Sequence, residues 1–214
     1  CTLQETREIL TNEIDWRIKC GARIIVSTPR EDIGASMLIA EDLSPKVDVP
    51  VEVVPMEELE KVLSNSSSGT IVTSRYFLQP LEKVAKQHGI RAIAVDLSDF
   101  QKELKILKEL SAGSCVGIVS ISPGLLRAAE VIIHSMRGSD LMLMTAISDN
   151  NSRLLSLLKT SNHIVCDWPS LSVVENTLLK NRSQLIRLPQ IICAKNYLSI
   201  ETINQLKKEI GVIN

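Results

Sequence analysis

Apolar residues along this chain keep one period for the first twenty positions and then switch to another. Over residues 2–20, Leu3, Ile9, Leu10, Ile14, Trp16 and Ile18 recur at three- and four-residue spacing, and Gly21 is a stop signal. This predicts an amphipathic helix, read as the tail of a longer one leading in from a preceding domain. Beyond it, short β-branched runs predict strands at 23–27, 49–54, 70–74, 91–97, 115–121, 141–147, 163–167 and 184–188. Helical patterns lie between them at 78–89, 99–113 and 123–136. Strands that are apolar on both faces and alternate with helices indicate parallel sheets covered on both sides. The fold class expected is therefore α/β, with parallel sheets and crossover helices.

The order of elements suggests a finer division. Strand and helix alternate four times up to Asp96, and a second series then opens with a helix before its first strand at Cys115. We read a leading helix over 1–22, with a possible part in dimerisation. A first Rossmann-like half spans 23–98 and a second spans 99–214, whose last segment can return to the first. The hinge falls near 97–100, in the manner of type I periplasmic binding proteins. One continuous doubly wound sheet would give nearly the same text. The Ser-rich "LSNSSSG" at 63–69 is a loop, too short for a domain linker.

Composition narrows the function classes. A chain of 214 residues can bury roughly 70% of its unfolded surface, enough for a sizeable core. With 24 Lys and Arg against 25 Asp and Glu, the net charge of −1 gives no electrostatic case for gripping nucleic acid. The five cysteines, Cys1, Cys20, Cys115, Cys166 and Cys193, are widely spaced without a Cys-x-x-Cys. That favours free thiols in a reducing cytosol. Cys115 and Cys166 lie inside apolar runs and read as packing, whereas Cys20, at a helix end, is the redox-sensor candidate. No apolar run reaches transmembrane length and no signal peptide is evident, so the expected location is cytoplasmic. The chain begins at Cys1 within a helical pattern, which reads as a fragment. A mature bacterial lipoprotein also begins with Cys, but such chains usually continue in a polar tether.

In open parallel sheets ligands bind beyond the carboxyl ends of the strands, where strand order reverses. Those ends read "VSTPRED", "VTSRYF", "VDLSDF", "VSISPG", "AISDNN" and "VCDWPS". The candidate ligand-binding residues are Thr28, Arg30, Ser74 and Arg75, with Asp96, Ser122 and Asp149 as opposing or hydrogen-bonding groups. Two guanidiniums beside helix N-terminal N–H groups suit a carboxylate or phosphate, hence a small anionic metabolite. Plain capping explains Thr28-Pro29, Ser122-Pro123 and Trp168-Pro169 equally, and each Arg can instead pair with an acid such as Glu31 or Asp32. Tyr76 and Phe77 are expected to pack the turn after the third strand.

Catalytic signals are thin. His88, His134 and His163 share no metal-ligand spacing, and His88 sits at a helix end that favours a cation. "GSCVG" at 113–117 matches a nucleophile elbow only in spacing, because it lies where a strand begins. No phosphate-loop or dinucleotide motif occurs. We therefore expect no enzyme, no cofactor and no metal.

"RIIVSTPREDIGASMLIAEDL" at 23–43 and "GTIVTSRYFLQPLEKVA" at 69–85 resemble the C-terminal region of the PlmA-type GntR transcription regulators of cyanobacteria. The resemblance runs through most of residues 2–214. It implies a homodimeric regulator whose winged helix, absent from this sequence, binds operator DNA, with this portion serving effector sensing and dimerisation. It also implies a link to nitrogen signalling through PII and its partner PipX. Two alternatives stand beside that reading: a protein-docking module for partners of the PII and PipX type, without a small-molecule ligand, and a solute-binding lipoprotein of a transporter.

Overall fold

The computed structural model describes residues 2–97 and 100–210. Cys1, on which the lipoprotein reading rests, lies outside the described residues, as do Ser98 and Asp99 of the expected hinge. The chain divides into two compact units. The first takes residues up to Leu97 together with those from Leu198 onward, and the second runs from Ser98 to Tyr197.

The first unit opens with helix α1 (Leu3–Gly21), started by a capping box in which the Thr2 hydroxyl accepts the Glu5 N–H at 3.2 Å and Glu5 accepts the Thr2 N–H at 2.7 Å. Strands β1 (Ile24–Val26), β2 (Val51–Val53), β3 (Thr70–Ser74) and β4 (Arg91–Val95) then form a parallel sheet in the order β2-β1-β3-β4. The intervening helices are α2 (Ile33–Leu43), α3 (Leu59–Asn65) and α4 (Leu78–Gln87). Alternate side chains of each strand go to opposite faces. Ile24, Val26 and Val72 therefore pack with α2 and with the returning helix α9 (Ile200–Ile210), while Ile25 and Ile71 pack with α3, α4 and Cys20.

The second unit repeats this plan. It contains α5 (Gln101–Glu109), β5 (Cys115–Ser120), α6 (Pro123–Arg137), β6 (Met142–Ile147), α7 (Asn151–Thr160), β7 (His163–Asp167), α8 (Trp168–Lys180) and β8 (Gln190–Ala194). Its strand order is β6-β5-β7-β8, all parallel. One core holds α5 and α6, and the other holds α7 and α8. The expected α/β fold with two halves holds.

Two local expectations need correction. The eighth strand is not at 184–188. That stretch forms a 3-10 turn at Arg182–Gln184 and an exposed run with Ile186 and Leu188 in solvent, and the strand begins after Pro189. Proline has no N–H to give a ladder and so suits the point just before a strand. Tyr76 does not pack the turn either: it is 89% exposed, and only Phe77 joins the core.

Candidate ligand site at the carboxyl ends of the strands

In the first unit the order of strands reverses between β1 and β3, which are direct neighbours with Val26 opposite Val72. Helix α2 leaves β1 toward one face and α4 leaves β3 toward the other, so a crevice opens there. Arg30 and Arg75 stand at the ends of these two strands. Their guanidiniums diverge, however. Arg30 pairs with Glu58, in the turn after β2, and its backbone N–H donates to the Glu57 carboxylate at 3.1 Å. Arg75 makes a two-pronged pair with Asp96, just past β4, at 2.5 and 3.2 Å. The expected neighbours Glu31 and Asp32 are not the partners, because the adjacent strand ends supply the acids instead.

Charge follows this geometry. The Glu57 and Arg30 backbone N–H groups hold the Glu57 carboxyl below its ordinary value, and the hydrogen bond to Asp96 lifts Arg75 above its own. An anion placed between the two arginines would have to displace carboxylates that already oppose them. Thr28 is also committed: its buried hydroxyl lies 2.8 Å from both the Asp32 carbonyl and the Ser36 hydroxyl. What the crevice does hold is a row of hydroxyls. Ser27 Oγ, Thr73 Oγ1 and Ser74 Oγ are buried without a hydrogen-bond partner among the described residues. Ser74 occupies the N-cap position but makes no capping bond.

The same place in the second unit is built differently. Asp167 ends β7, almost fully buried, and its carboxylate accepts two backbone N–H groups. One comes from Ile121 beyond β5 at 2.9 Å and the other from Ser170 in the first turn of α8, also at 2.9 Å. The carboxylate thereby stitches the crevice shut and caps α8. Ser122 accepts the Leu125 N–H at 3.0 Å and caps α6. Asp149 is exposed at the end of β6.

Next to the stitched crevice lies a pair that sequence reasoning did not single out. Trp168, 45% exposed, follows Asp167, and the Lys195 ammonium sits 4.6 Å from its ring centroid. The Trp168 N–H donates to the Tyr197 hydroxyl at 2.8 Å, which in turn donates to the Ala194 carbonyl at 3.1 Å. Those bonds fix the backbone under the ring. Trp168 and Lys195 occupy the positions that Arg75 and Asp96 hold in the first unit, one residue past the third strand's cap and one past the fourth strand's end. Lys195 makes no ion pair among the described residues. Asp149 lies three inter-strand steps away across the sheet, roughly 14 Å at about 4.8 Å per step, so it cannot share a compact ligand with Lys195.

The cysteines do not join this site as nucleophiles. Cys20, the redox candidate, is fully buried, as are Cys115 and Cys166 nearly so. Burial, with Cys193 and Asp167 nearby, pushes the Cys166 thiol far above its ordinary value, and burial lifts Cys193 as well. Cys115 opens β5 and is not at a strand-to-helix elbow.

Residues 102–195 match the family model of the C-terminal domain of the cyanobacterial PlmA-type GntR regulator. The resemblance read from the sequence holds over that stretch, which is less than half of the chain rather than most of 2–214. The PlmA-type stretch lies within the second unit and includes Asp167, Trp168 and Lys195, whereas 23–43 and 69–85, whose wording carried the resemblance, lie in the first unit. No curated protein matches. Among solved structures, a ligand-free aspartate transcarbamoylase from Trypanosoma cruzi is similar at 11% identity, over 94% of this chain and 84% of that one, with a TM-score of 0.29. No described helix is long and apolar enough to cross a membrane.

Proposed function

We propose that this chain is the effector-sensing and dimerisation portion of a PlmA-type GntR regulator acting in the cytoplasm, and that its small anionic ligand is taken at Trp168 and Lys195. The observation that carries the ligand assignment is the ammonium of Lys195, exposed over an indole face and without an ion-paired carboxylate among the described residues. Arg30 and Arg75 are in this reading clamps between neighbouring strand ends, each spent on an acid. Operator contact belongs to the winged helix that the GntR family carries ahead of such a domain. A ligand changes the regulator's output only through its differential affinity for two conformations of the protein.

Titrating Trp168 emission with a panel of phosphorylated and carboxylated metabolites, in a Trp16→Phe background, tests the assignment. At least one member should quench or shift the emission saturably. Lys195→Ala should weaken that response about tenfold, the scale of a lost charge-assisted contact, and Arg75→Ala should leave it unchanged. Loss of binding in Arg75→Ala with Lys195→Ala unaffected would return the site to the first unit.

Dimerisation we assign to α1. Leu3, Leu10, Ile14 and Ile18 fall along one side of the helix at positions i, i+7, i+11 and i+15, and all are exposed. Cys20 is its one buried residue. Ile14→Glu should convert a dimer to a monomer in sedimentation equilibrium with little change in melting temperature. A dimer that survives the substitution would place the interface elsewhere.

A further inference from the structure

We propose that the amino-terminal end of the second sheet, opposite the ligand edge, docks an acidic protein segment bearing apolar anchors. A groove of about 600 Å³ opens there, lined by Gly113, Ser114, Met142, Met144, Asn162 and Arg187 among others. Its lining mixes the apolar Met142 and Met144 with the polar Ser114, Asn162 and Arg187. Met142 stands largely exposed at the start of the edge strand β6. Arg187 lines the same groove from the loop before β8, and its guanidinium donates a long bond of 3.3 Å to the Thr160 carbonyl. Either side of Arg187, Ile186 is fully exposed and Leu188 half exposed. A run of apolar, cationic and apolar side chains held in solvent contributes nothing to the folded core.

Charge identifies the occupant. From 176 to 194 the chain carries Lys180, Arg182 and Arg187 without one Asp or Glu, and α7 brings Lys159 to the same end in its last turn. Lys159, beside the groove, donates to the Gln184 side chain at 2.9 Å and keeps its charge unopposed by a carboxylate. Asp140, which meets the groove through the loop at Gly113, is turned to Arg137 at 3.8 Å. On a chain of net charge −1, this end of the unit is therefore locally basic. Arginine and methionine are enriched in interface cores, where an arginine among apolar neighbours often dominates the binding energy. Nucleic acid fits less well, since no aromatic ring lines the groove for base stacking and phosphodiesters offer nothing to Ile186, Leu188 or Met142. An acidic segment with leucine-like anchors answers both the charges and the apolar side chains. The assignment does not depend on the ligand reading at Trp168.

Selection of a displayed twelve-residue peptide library on the immobilised 214-residue chain tests it. The enriched peptides should combine Asp and Glu with Leu, Ile or Phe. The best of them, made synthetically, should lose affinity about tenfold or more in Arg187→Glu and in Ile186→Ser, the size of a hot-spot loss. Both side chains are exposed, so the melting temperature should stay put in each variant. Its binding should shift the amide resonances of 112–115, 159–162 and 185–188. Enriched peptides without an acidic excess would overturn the proposal, as would affinity unchanged in both variants. Equal competition by heparin or by phosphatidylserine vesicles would also overturn it, because the face would then read charge alone.

Discussion

Gly117→Ala will lower the stability of the second unit by about 1–3 kcal/mol, the usual cost of forcing extra carbon into a packed core. Gly117 sits mid-strand in β5, and a Cβ there would lie 2.2 Å from Leu157 Cδ2, 2.7 Å from Leu157 Cγ and 2.8 Å from Ile164 Cδ1. Leu157 and Ile164 are both fully buried in the same core, so neither has solvent to swing into. In a unit of this size each kcal/mol corresponds to a melting shift of roughly 4–8 °C. Thermal or urea unfolding measures it. Leu157→Ala should cost distinctly less in the Gly117→Ala background than in the parent, because the two changes share one space. Additive effects would mean that the strand and α7 are spaced more loosely than described.

Asp167→Ala should be comparably damaging, at about 2–4 kcal/mol. Loss of an N-cap typically accounts for ~1 kcal/mol. Stranding the Ile121 N–H, which the carboxylate accepts at 2.9 Å from across the crevice, adds about 1–3 kcal/mol. Asp167→Asn keeps one acceptor oxygen but must present an amide NH₂ to one of two N–H donors, so it should fall between parent and Ala. Urea unfolding followed by circular dichroism orders the three proteins. An Ala variant within 0.5 kcal/mol of the parent, taking that as the ordinary surface-substitution range, would mean that the carboxylate does not hold β5 to β7.

Why the sequence was informative about fold and less so about the site follows from distance along the chain. Runs such as "TIVTS" and "CVGIVS" carry their strand character within a few residues, and the alternation with helices leaves little choice but parallel pairing. The partners of Arg30 and Arg75 are 28 and 21 residues away, on strand ends whose adjacency depends on strand order. No local pattern announces them. Lys195 escaped notice for a related reason. With the eighth strand placed at 184–188, Lys195 falls well past its carboxyl end. With the strand at Gln190–Ala194, Lys195 stands just past a carboxyl end. The signal that would have found it is Pro189, which argues against a strand through 184–189 and for one after it.

The two halves also answer one structural problem with different chemistry. At the strand-order reversal the second unit spends a carboxylate to bind Ile121 and Ser170 N–H groups, while in the first the Ser27, Thr73 and Ser74 hydroxyls find no partner among the described residues. One position further on, the first unit neutralises its arginine with Asp96 and the second leaves a lysine over a tryptophan. The exposed cation thus lies in the unit that matches the PlmA-type domain.

The most direct test of that assignment is amide resonance mapping of the whole chain while the metabolite that quenches Trp168 is titrated in. The account predicts the largest shifts at Asp167, Trp168 and Lys195, with Thr28–Asp32, Arg75 and Asp96 nearly still. Shifts concentrated at Arg30, Arg75 and Asp96, with Trp168 and Lys195 unmoved, would contradict it.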